Sequence, residues 1–371
     1  MSTVGIVGGG QLARMLALAG TPLGLRFVFL DPTPDVCAAS LGEHLRGAYD
    51  DPQQLAELAR RADVVTYEFE NVPEASIRFL AEHVAVFPSA LPLAVARDRF
   101  EEKTLFKQLG IATPSFALVS TLPDLERAVQ TIGLPAVLKT RTLGYDGKGQ
   151  DVLRQSADVA TAWQQLAGVP LILEAFVNFQ REISIIGVRG RRGETAFYPV
   201  AENVHRDGIL RLSRSWPDDP ATAPAREYLD RLLDRLDYVG VLALELFQVG
   251  DQLLANEMAP RVHNSGHWTI EGAVTSQFEN HLRAVLGLPL GSTAANGFAA
   301  MVNFVGELPE AAEVLAVPGA HLHVYDKEPR PGRKIGHATV CAASERELAP
   351  GLETLLQLVE PDPATMTAAR R

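Results

Sequence analysis

The sequence predicts a mixed chain, α/β at its N-terminus and α+β beyond, divided into several domains. Three observations predict this. The 371 residues exceed one ordinary domain. Strand-like and helix-like segments alternate with short links from residue 1 to about 95, the mark of a parallel sheet covered by helices. Farther along, apolar alternation and glycine turns replace that rhythm, with a third region beginning near Ala299.

The elements follow in order. Residues 4–7 are apolar and run straight into glycines, giving a strand and a tight turn, and 11–19 have helical spacing. Residues 26–30 form an apolar run ending at Asp31-Pro32, 52–61 fit a helix and 63–67 a third strand. In the second region 99–109 is an amphipathic helix, and the turn Gly133-Leu134-Pro135 leads into a short strand at 136–139. A glycine-rich loop follows, then strands at 171–177 and 182–188 and a helix at 225–236. Residues 241–247 and 253–258 flank Gly250-Asp251, a hairpin turn pair. The third region has strands at 300–304 and 321–325 and a basic turn at 330–334.

Composition removes several classes. Hydrophobic residues at 47% and charged residues at 21% are the usual globular mix, which excludes a disordered or fibrous chain. A net charge of −11 disfavours nucleic acid and anionic membranes as partners. The two cysteines, Cys37 and Cys341, make neither a disulfide framework nor a cysteine metal site. There is no apolar run long enough to span a membrane and no basic segment ahead of the N-terminal apolar stretch, so a cytoplasmic protein is expected. The lysines are few (Lys103, Lys107, Lys139, Lys148, Lys327 and Lys334), and each is worth examining.

Five motifs carry chemistry. Gly8-Gly9-Gly10-Gln11-Leu12-Ala13 follows a strand and opens a helix, and Asp31 ends the next strand. That is the pattern of a dinucleotide site, but any tight strand-to-helix turn also requires glycine. Lys139, at a strand end, is followed by Gly144-Tyr145-Asp146-Gly147-Lys148-Gly149-Gln150, a lysine and a glycine loop suited to phosphates. On the hairpin, a three-residue loop centred on Asp251 would put Glu245 opposite Glu257 on one face, whereas a two-residue loop would spoil that pairing. Two such carboxylates repel unless a shared proton or a cation intervenes; a hard divalent cation, with nucleotide phosphates alongside, answers that, and a solvent-facing acidic pair is the plain alternative. Asn256-Glu257-Met258-Ala259-Pro260-Arg261-Val262-His263-Asn264-Ser265-Gly266-His267 follows as a dense polar run fit to hold an anion. Finally, Lys327, Arg330, Arg333 and Lys334 form a basic turn, either solvated or a pocket for a substrate phosphate.

In this order and spacing, the motifs resemble those of the ATP-grasp superfamily, and within it the N5-carboxyaminoimidazole ribonucleotide synthetases. Tyr198-Pro199 and the segment 203–210 add to the likeness, which extends over all but the C-terminal tail; Ala13 and Leu143 depart from it where the family often has glycine. The resemblance implies an ATP-grasp fold: a Rossmann-like α/β domain at 1–95, a two-lobed domain at 96–297 and a small C-terminal domain at 298–371. It implies ATP-dependent carboxylation of 5-aminoimidazole ribonucleotide by bicarbonate through carboxyphosphate, in purine biosynthesis, by a cytoplasmic homodimer using magnesium or manganese. Under it, Arg99, Lys139 and the loop 144–150 hold ATP phosphates, Glu174-Ala175-Phe176-Val177 meet the adenine, and Glu182 and His205 meet the rest of the nucleotide. Glu245 and Glu257 carry the metal, assisted by Asn256. Arg261, His263 and Asn264 steady bicarbonate, with Asp146 as a fourth catalytic group near the amine. Gln11, Leu12, Tyr145, Lys327, Arg333 and Lys334 form the ribonucleotide side. Two rivals stay open: an ATP-grasp ligase with another acceptor, such as formate with glycinamide ribonucleotide, and a nicotinamide or flavin oxidoreductase.

Overall fold

The computed structural model describes residues 2–142, 144 and 149–359. Tyr145, Asp146, Gly147 and Lys148 of the glycine loop, and Leu143 before it, lie outside the described residues. No described helix is long and apolar enough to cross a membrane.

Five strands come first: β1 (Thr3–Val7), β2 (Arg26–Asp31), β3 (Glu43–Arg46), β4 (Val64–Tyr67) and β5 (Ala85–Val86). They form one parallel sheet in the order β3-β2-β1-β4-β5. Central β1 is buried along its whole length, as a strand covered on both faces must be. Helix Pro52–Arg61 starts where the sequence places it, because Asp51 accepts from Gln53 N and Gln54 N and Pro52 fills a position whose amide would go unused. The edge strands β3 and β5 are too short to leave a pattern in the sequence.

Next come β6 (Phe116–Val119), β7 (Ala136–Thr140), β8 (Gln150–Leu153) and β9 (Leu171–Ala175), an antiparallel sheet in the order β6-β9-β7-β8. The remaining strands are β10 (Arg181–Arg189), β11 (Thr195–Phe197), β12 (Ala201–Arg206), β13 (Ile209–Ser215), β14 (Gly240–Val249), β15 (Gln252–Ala259), β16 (Phe298–Val305), β17 (Ala320–Val324) and β18 (Lys334–Ala342). All nine belong to one sheet, in the order β15-β14-β10-β12-β13-β16-β18-β17 with β11 against β10. The segment from 298 onward thus adds its strands to the large sheet, β16 pairing with β13.

The β14–β15 hairpin departs from the expected turn. Val249 pairs with Gln252, so the loop is the two residues Gly250-Asp251, with Gly250 at φ +59°. Unbroken, that register would put Glu245 opposite Asn256. Instead, Leu246 pairs with Ala255 and Glu245 with Glu257, and Asn256 is the extra residue of a β-bulge. The expected pairing therefore exists, but by a different device. The bulge also breaks the alternation of β15, so that Asn256 and Glu257 are both partly exposed between buried Ala255 and buried Met258.

Candidate active site

A cleft of about 740 Å³ lies where the four-stranded sheet, the large sheet and the N-terminal domain meet. Lys139, Gly144, Gln150, Glu174, Ala175, Phe176 and Val177 line it from the smaller sheet and its exits. Glu182, His205, Glu245, Asn256, Glu257, Arg261, His263, Asn264 and Lys334 line it from the large sheet and its loops, and Gln11, Leu12 and Arg99 close the third side. Of the described residues that the resemblance assigns to the site, Gly149, Lys327 and Arg333 do not line it.

Lys139 reaches Glu174 Oε2 at 2.9 Å, and Lys103 Nζ lies 3.3 Å from the same oxygen. Lys103 also donates to the Asn256 carbonyl at 2.9 Å. One buried carboxylate thus links the lysine of β7 to the bulge of β15. The two lysines outweigh burial and hold the Glu174 carboxyl down at about 2, while burial lowers Lys139. The Glu174 side chain is therefore engaged by lysines, and the strand itself ends at Ala175, short of Val177. On the bulge's far side, Glu102 Oε1 accepts from Met258 N at 2.7 Å. Burial, reinforced by Glu257, pushes Glu102 up to about 8. Glu102 and Lys103 fall on the buried face of helix Arg99–Gln108, where charged groups persist only when they have such partners.

The two hairpin carboxylates have different partners. Glu257 Oε2 accepts from Arg99 Nη1 at 2.8 Å, and Arg99 lowers its pKa against the opposing effect of burial. Glu245 Oε1 lies 3.1 Å from His263 Nε2, and burial together with the charge of Glu257 raises Glu245 to about 7. Beside them, the Asn256 Oδ1 atom is buried without a hydrogen-bond partner. Two carboxylates and an orphaned amide oxygen are the donor chemistry that suits a hard cation such as magnesium. Arg261 donates from Nε to Glu70 Oε2 at 2.5 Å, which ties this end of the site to the N-terminal domain. His205 Nδ1 lies 2.6 Å from Glu182 Oε2, and this contact, with the charge of Glu245, raises the histidine despite the opposing effect of burial.

Three family models match the chain: a ribonucleotide synthetase preATP-grasp domain over residues 1–97, an ATP-grasp domain over 104–278 and a phosphoribosylaminoimidazole carboxylase C-terminal domain over 299–350. The N5-carboxyaminoimidazole ribonucleotide synthase of Pseudomonas aeruginosa is 58% identical over 357 residues, covering 96% of this chain and 99% of its own. The chain belongs to the N5-carboxyaminoimidazole ribonucleotide synthase family. Among solved structures, the Thermus thermophilus synthetase superposes with a TM-score of 0.93 at 55% identity, over 97% of this chain and 99% of its own. The Aspergillus clavatus synthase, in complex with ADP and 5-aminoimidazole ribonucleotide, superposes with a TM-score of 0.91 at 31% identity, over 97% of this chain and 99% of its own.

The geometry of the glycine turn bears on which meaning it has. Asp31 Oδ2 accepts from Gly9 N at 2.9 Å and from the Tyr49 hydroxyl at 2.8 Å, and Oδ1 accepts from Thr33 N at 2.8 Å. Glu68 accepts from Gly10 N and, at 2.8 Å, from Ala13 N. The helix start is thus filled by a carboxylate of the chain itself, and a Cβ on Gly8, at φ +109°, would collide with it. A dinucleotide phosphate would have to displace Glu68, so the ribose-acid reading of Asp31 is replaced by a structural one.

The basic turn is divided more finely than the sequence suggests. Lys334 lines the cleft, Lys327 donates to Gln11 Oε1, and Arg333 Nη1 donates to the Glu328 carbonyl at 3.2 Å. Burial lowers the pKa of Lys327, and Arg333 and Lys334 are near enough to lower it further. Sequence reasoning missed Glu68, Glu70 and Glu102 and gave Lys103 no role. It also missed Asn303 of β16, whose amide exchanges hydrogen bonds with Asn264 at 2.7 and 3.1 Å. The signal available was the rarity of lysine, which marked Lys103, and the pair of charges at 102–103 inside an otherwise amphipathic helix.

Proposed function

We infer that this chain is an ATP-dependent carbon–nitrogen ligase that carboxylates 5-aminoimidazole ribonucleotide with bicarbonate, giving N5-carboxyaminoimidazole ribonucleotide, ADP and phosphate in purine biosynthesis. The observation that carries it is one cleft with a phosphate lysine, a carboxylate pair and an Arg261–His263–Asn264 run, in a chain of this family.

The proposed roles follow from position. Lys139 and Arg99 meet ATP phosphates, with Gly144 and Gln150 at the ends of the covering loop. The backbone at Ala175, Phe176 and Val177 borders the adenine, and Glu182 and His205 the ribose. Glu245, Glu257 and Asn256 would hold magnesium, which supplies charge neutralisation for the transferred phosphoryl group. Bicarbonate oxygen attacks the γ-phosphorus, ADP leaves, and the carboxyphosphate so formed meets Arg261, His263 and Asn264. The exocyclic amine then takes the carboxyl group, loses a proton and releases phosphate, with Gln11, Lys327 and Lys334 on the ribonucleotide side. Support for this side comes from Gln11 and Lys327 touching each other while Gln11 and Lys334 both line the cleft. A homodimer in the cytoplasm, and manganese as a substitute metal, complete the reading.

The test is ATP consumption by the purified chain with each co-substrate withheld in turn. The expected result is turnover that requires both aminoimidazole ribonucleotide and bicarbonate. Equal turnover with glycinamide ribonucleotide and formate would replace this reading with the rival ligase.

A further inference from the structure

Beneath His263 lies a set of buried polar side chains with no part in the roles above. Ser184 of β10, Asn203 of β12, Ser213 of β13 and Ser265 of the turn Asn264–Gly266 are each at most 5% exposed. Strand interiors facing a core seldom spend four polar side chains in one place unless they are fully partnered. These are, and their contacts have a direction.

One group cannot reverse, and it sets the direction of the rest. The Ser265 backbone N–H lies 3.3 Å from His263 Nδ1, and a backbone N–H can only donate, so Nδ1 must be bare. A neutral imidazole with a bare Nδ1 carries its proton on Nε2. The Ser265 hydroxyl, 2.9 Å from the same Nδ1, then has to donate as well, which uses its one proton. At the other end, Asn203 Nδ2 donates to Ser184 Oγ at 3.0 Å, the amide orientation that leaves the Ser184 proton free for Ser265. Ser184 passes its own proton to Ser265 Oγ at 2.7 Å. The Ser213 hydroxyl lies 2.7 Å from Asn203 Oδ1 and 3.0 Å from the Ser265 carbonyl, and its one proton on the shorter contact holds the Asn203 amide in that sense.

We propose that Asn203, Ser184 and Ser265 are positioning residues forming a one-way hydrogen-bond chain that fixes His263 as its Nε2–H tautomer and aims that N–H at Glu245 and the cleft. Strand register supports this, since Ser184 stands opposite Glu245 across β10 and β14, and Asn203 opposite Ser213 across β12 and β13. The outer end is the 3.1 Å contact between His263 Nε2 and Glu245 Oε1. With the chain intact, His263 presents a hydrogen-bond donor to the cleft and no lone pair. A fixed donor is what an anion such as bicarbonate or an acyl phosphate needs, and this consequence rests on the function proposed above.

The chain can be reversed by design. In Asn203→Asp, the carboxylate has no proton to give and accepts from Ser184. Ser184 then accepts from Ser265, so that Nδ1 loses its hydroxyl donor and keeps only the 3.3 Å contact with the Ser265 backbone N–H. The test is nitrogen-15 NMR of the full chain labelled at histidine, with the His263 signals identified by their loss in His263→Gln. The expected wild-type pattern is pyridine-like Nδ1 and pyrrole-like Nε2, giving way to a mixture of both tautomers in Asn203→Asp and in Ser184→Ala. Turnover should fall about tenfold in Asn203→Asp, with the KM for ATP within twofold. A wild-type Nδ1–H pattern would overturn the proposal, as would an unchanged pattern in Asn203→Asp. Should Asn203→Asp fail to fold, Ser184→Ala decides: an unmixed wild-type pattern there also overturns it. The NMR readout needs no substrate, so a wild-type chain with the expected tautomer but no carboxylation activity would refute the function and leave the chain standing.

Discussion

Two pairs of acids in this molecule look alike in sequence and do different work. Asp31 and Glu68 flank the N-terminal glycine turn, and their oxygens are taken up mainly by backbone amides, of Gly9 and Thr33 for Asp31 and of Gly10 and Ala13 for Glu68. Glu245 and Glu257 flank the hairpin bulge, and their partners are the ionisable side chains of His263 and Arg99, next to an unsatisfied amide oxygen of Asn256. The first pair closes a turn. The second leaves oxygen donors for a ligand. An acid beside glycines is therefore read by what already occupies its lone pairs.

The largest effect is expected at a third buried acid, Glu174, which joins the two halves of the cleft. Glu174→Gln leaves Lys103 and Lys139 without their shared charge, a loss of about 3–5 kcal/mol of stability at neutral pH. Because the fold depresses this carboxyl from its ordinary 4.5 to about 2, its contribution is complete above about pH 5 and fades as pH falls from 4.5 to 2. Urea unfolding of both proteins across that range should show the gap closing toward acid. A gap that stayed constant with pH would mean that the lysines are stabilised by other groups.

Asp31→Asn comes next. It replaces a charged acceptor of three hydrogen bonds with a neutral amide, at a cost of about 1–3 kcal/mol in the same unfolding measurement. Turnover at saturating substrates should stay within twofold, because this pair has no ligand to hold. A collapse of turnover in a folded variant would erase the contrast between the two pairs.

The smallest effect belongs to the basic turn. Arg333 lies outside the cleft and donates to a backbone carbonyl, so Arg333→Ala should raise the KM for the ribonucleotide by about 1 kcal/mol, roughly fivefold. Exposed Arg330 should matter less, and steady-state kinetics at low ionic strength would separate the two. Equal effects would make the turn a diffuse attractor and not a built pocket.

Much of this was legible from the chain. Periodicity and turn residues marked the strands around Lys139, the hairpin and the helix starting at Arg99, since each is long enough to show its pattern or carries its own cap. The 245–257 pairing was legible for a reason that did not hold, because a bulge at Asn256 compensates for a turn one residue shorter than expected. Bulges depend on backbone partners such as Lys103 and Glu102, which are distant in sequence. The role of Asp31 was ambiguous for the same reason, since Glu68 fills the turn from another strand's end. Ser184 and Ser213 gave no signal, and Asn203 entered only within the 203–210 likeness, because single small polar residues in strands look like a solvated face until the sheet is assembled.

The contrast between the acid pairs is tested most directly by calorimetric titration of magnesium–ADP into the wild-type chain, Glu257→Gln and Asp31→Asn. The account predicts at least tenfold weaker binding, about 1.4 kcal/mol, in Glu257→Gln, and a change within twofold in Asp31→Asn. Unchanged affinity in Glu257→Gln, together with a marked loss in Asp31→Asn, would place the nucleotide at the N-terminal glycine turn and contradict the account.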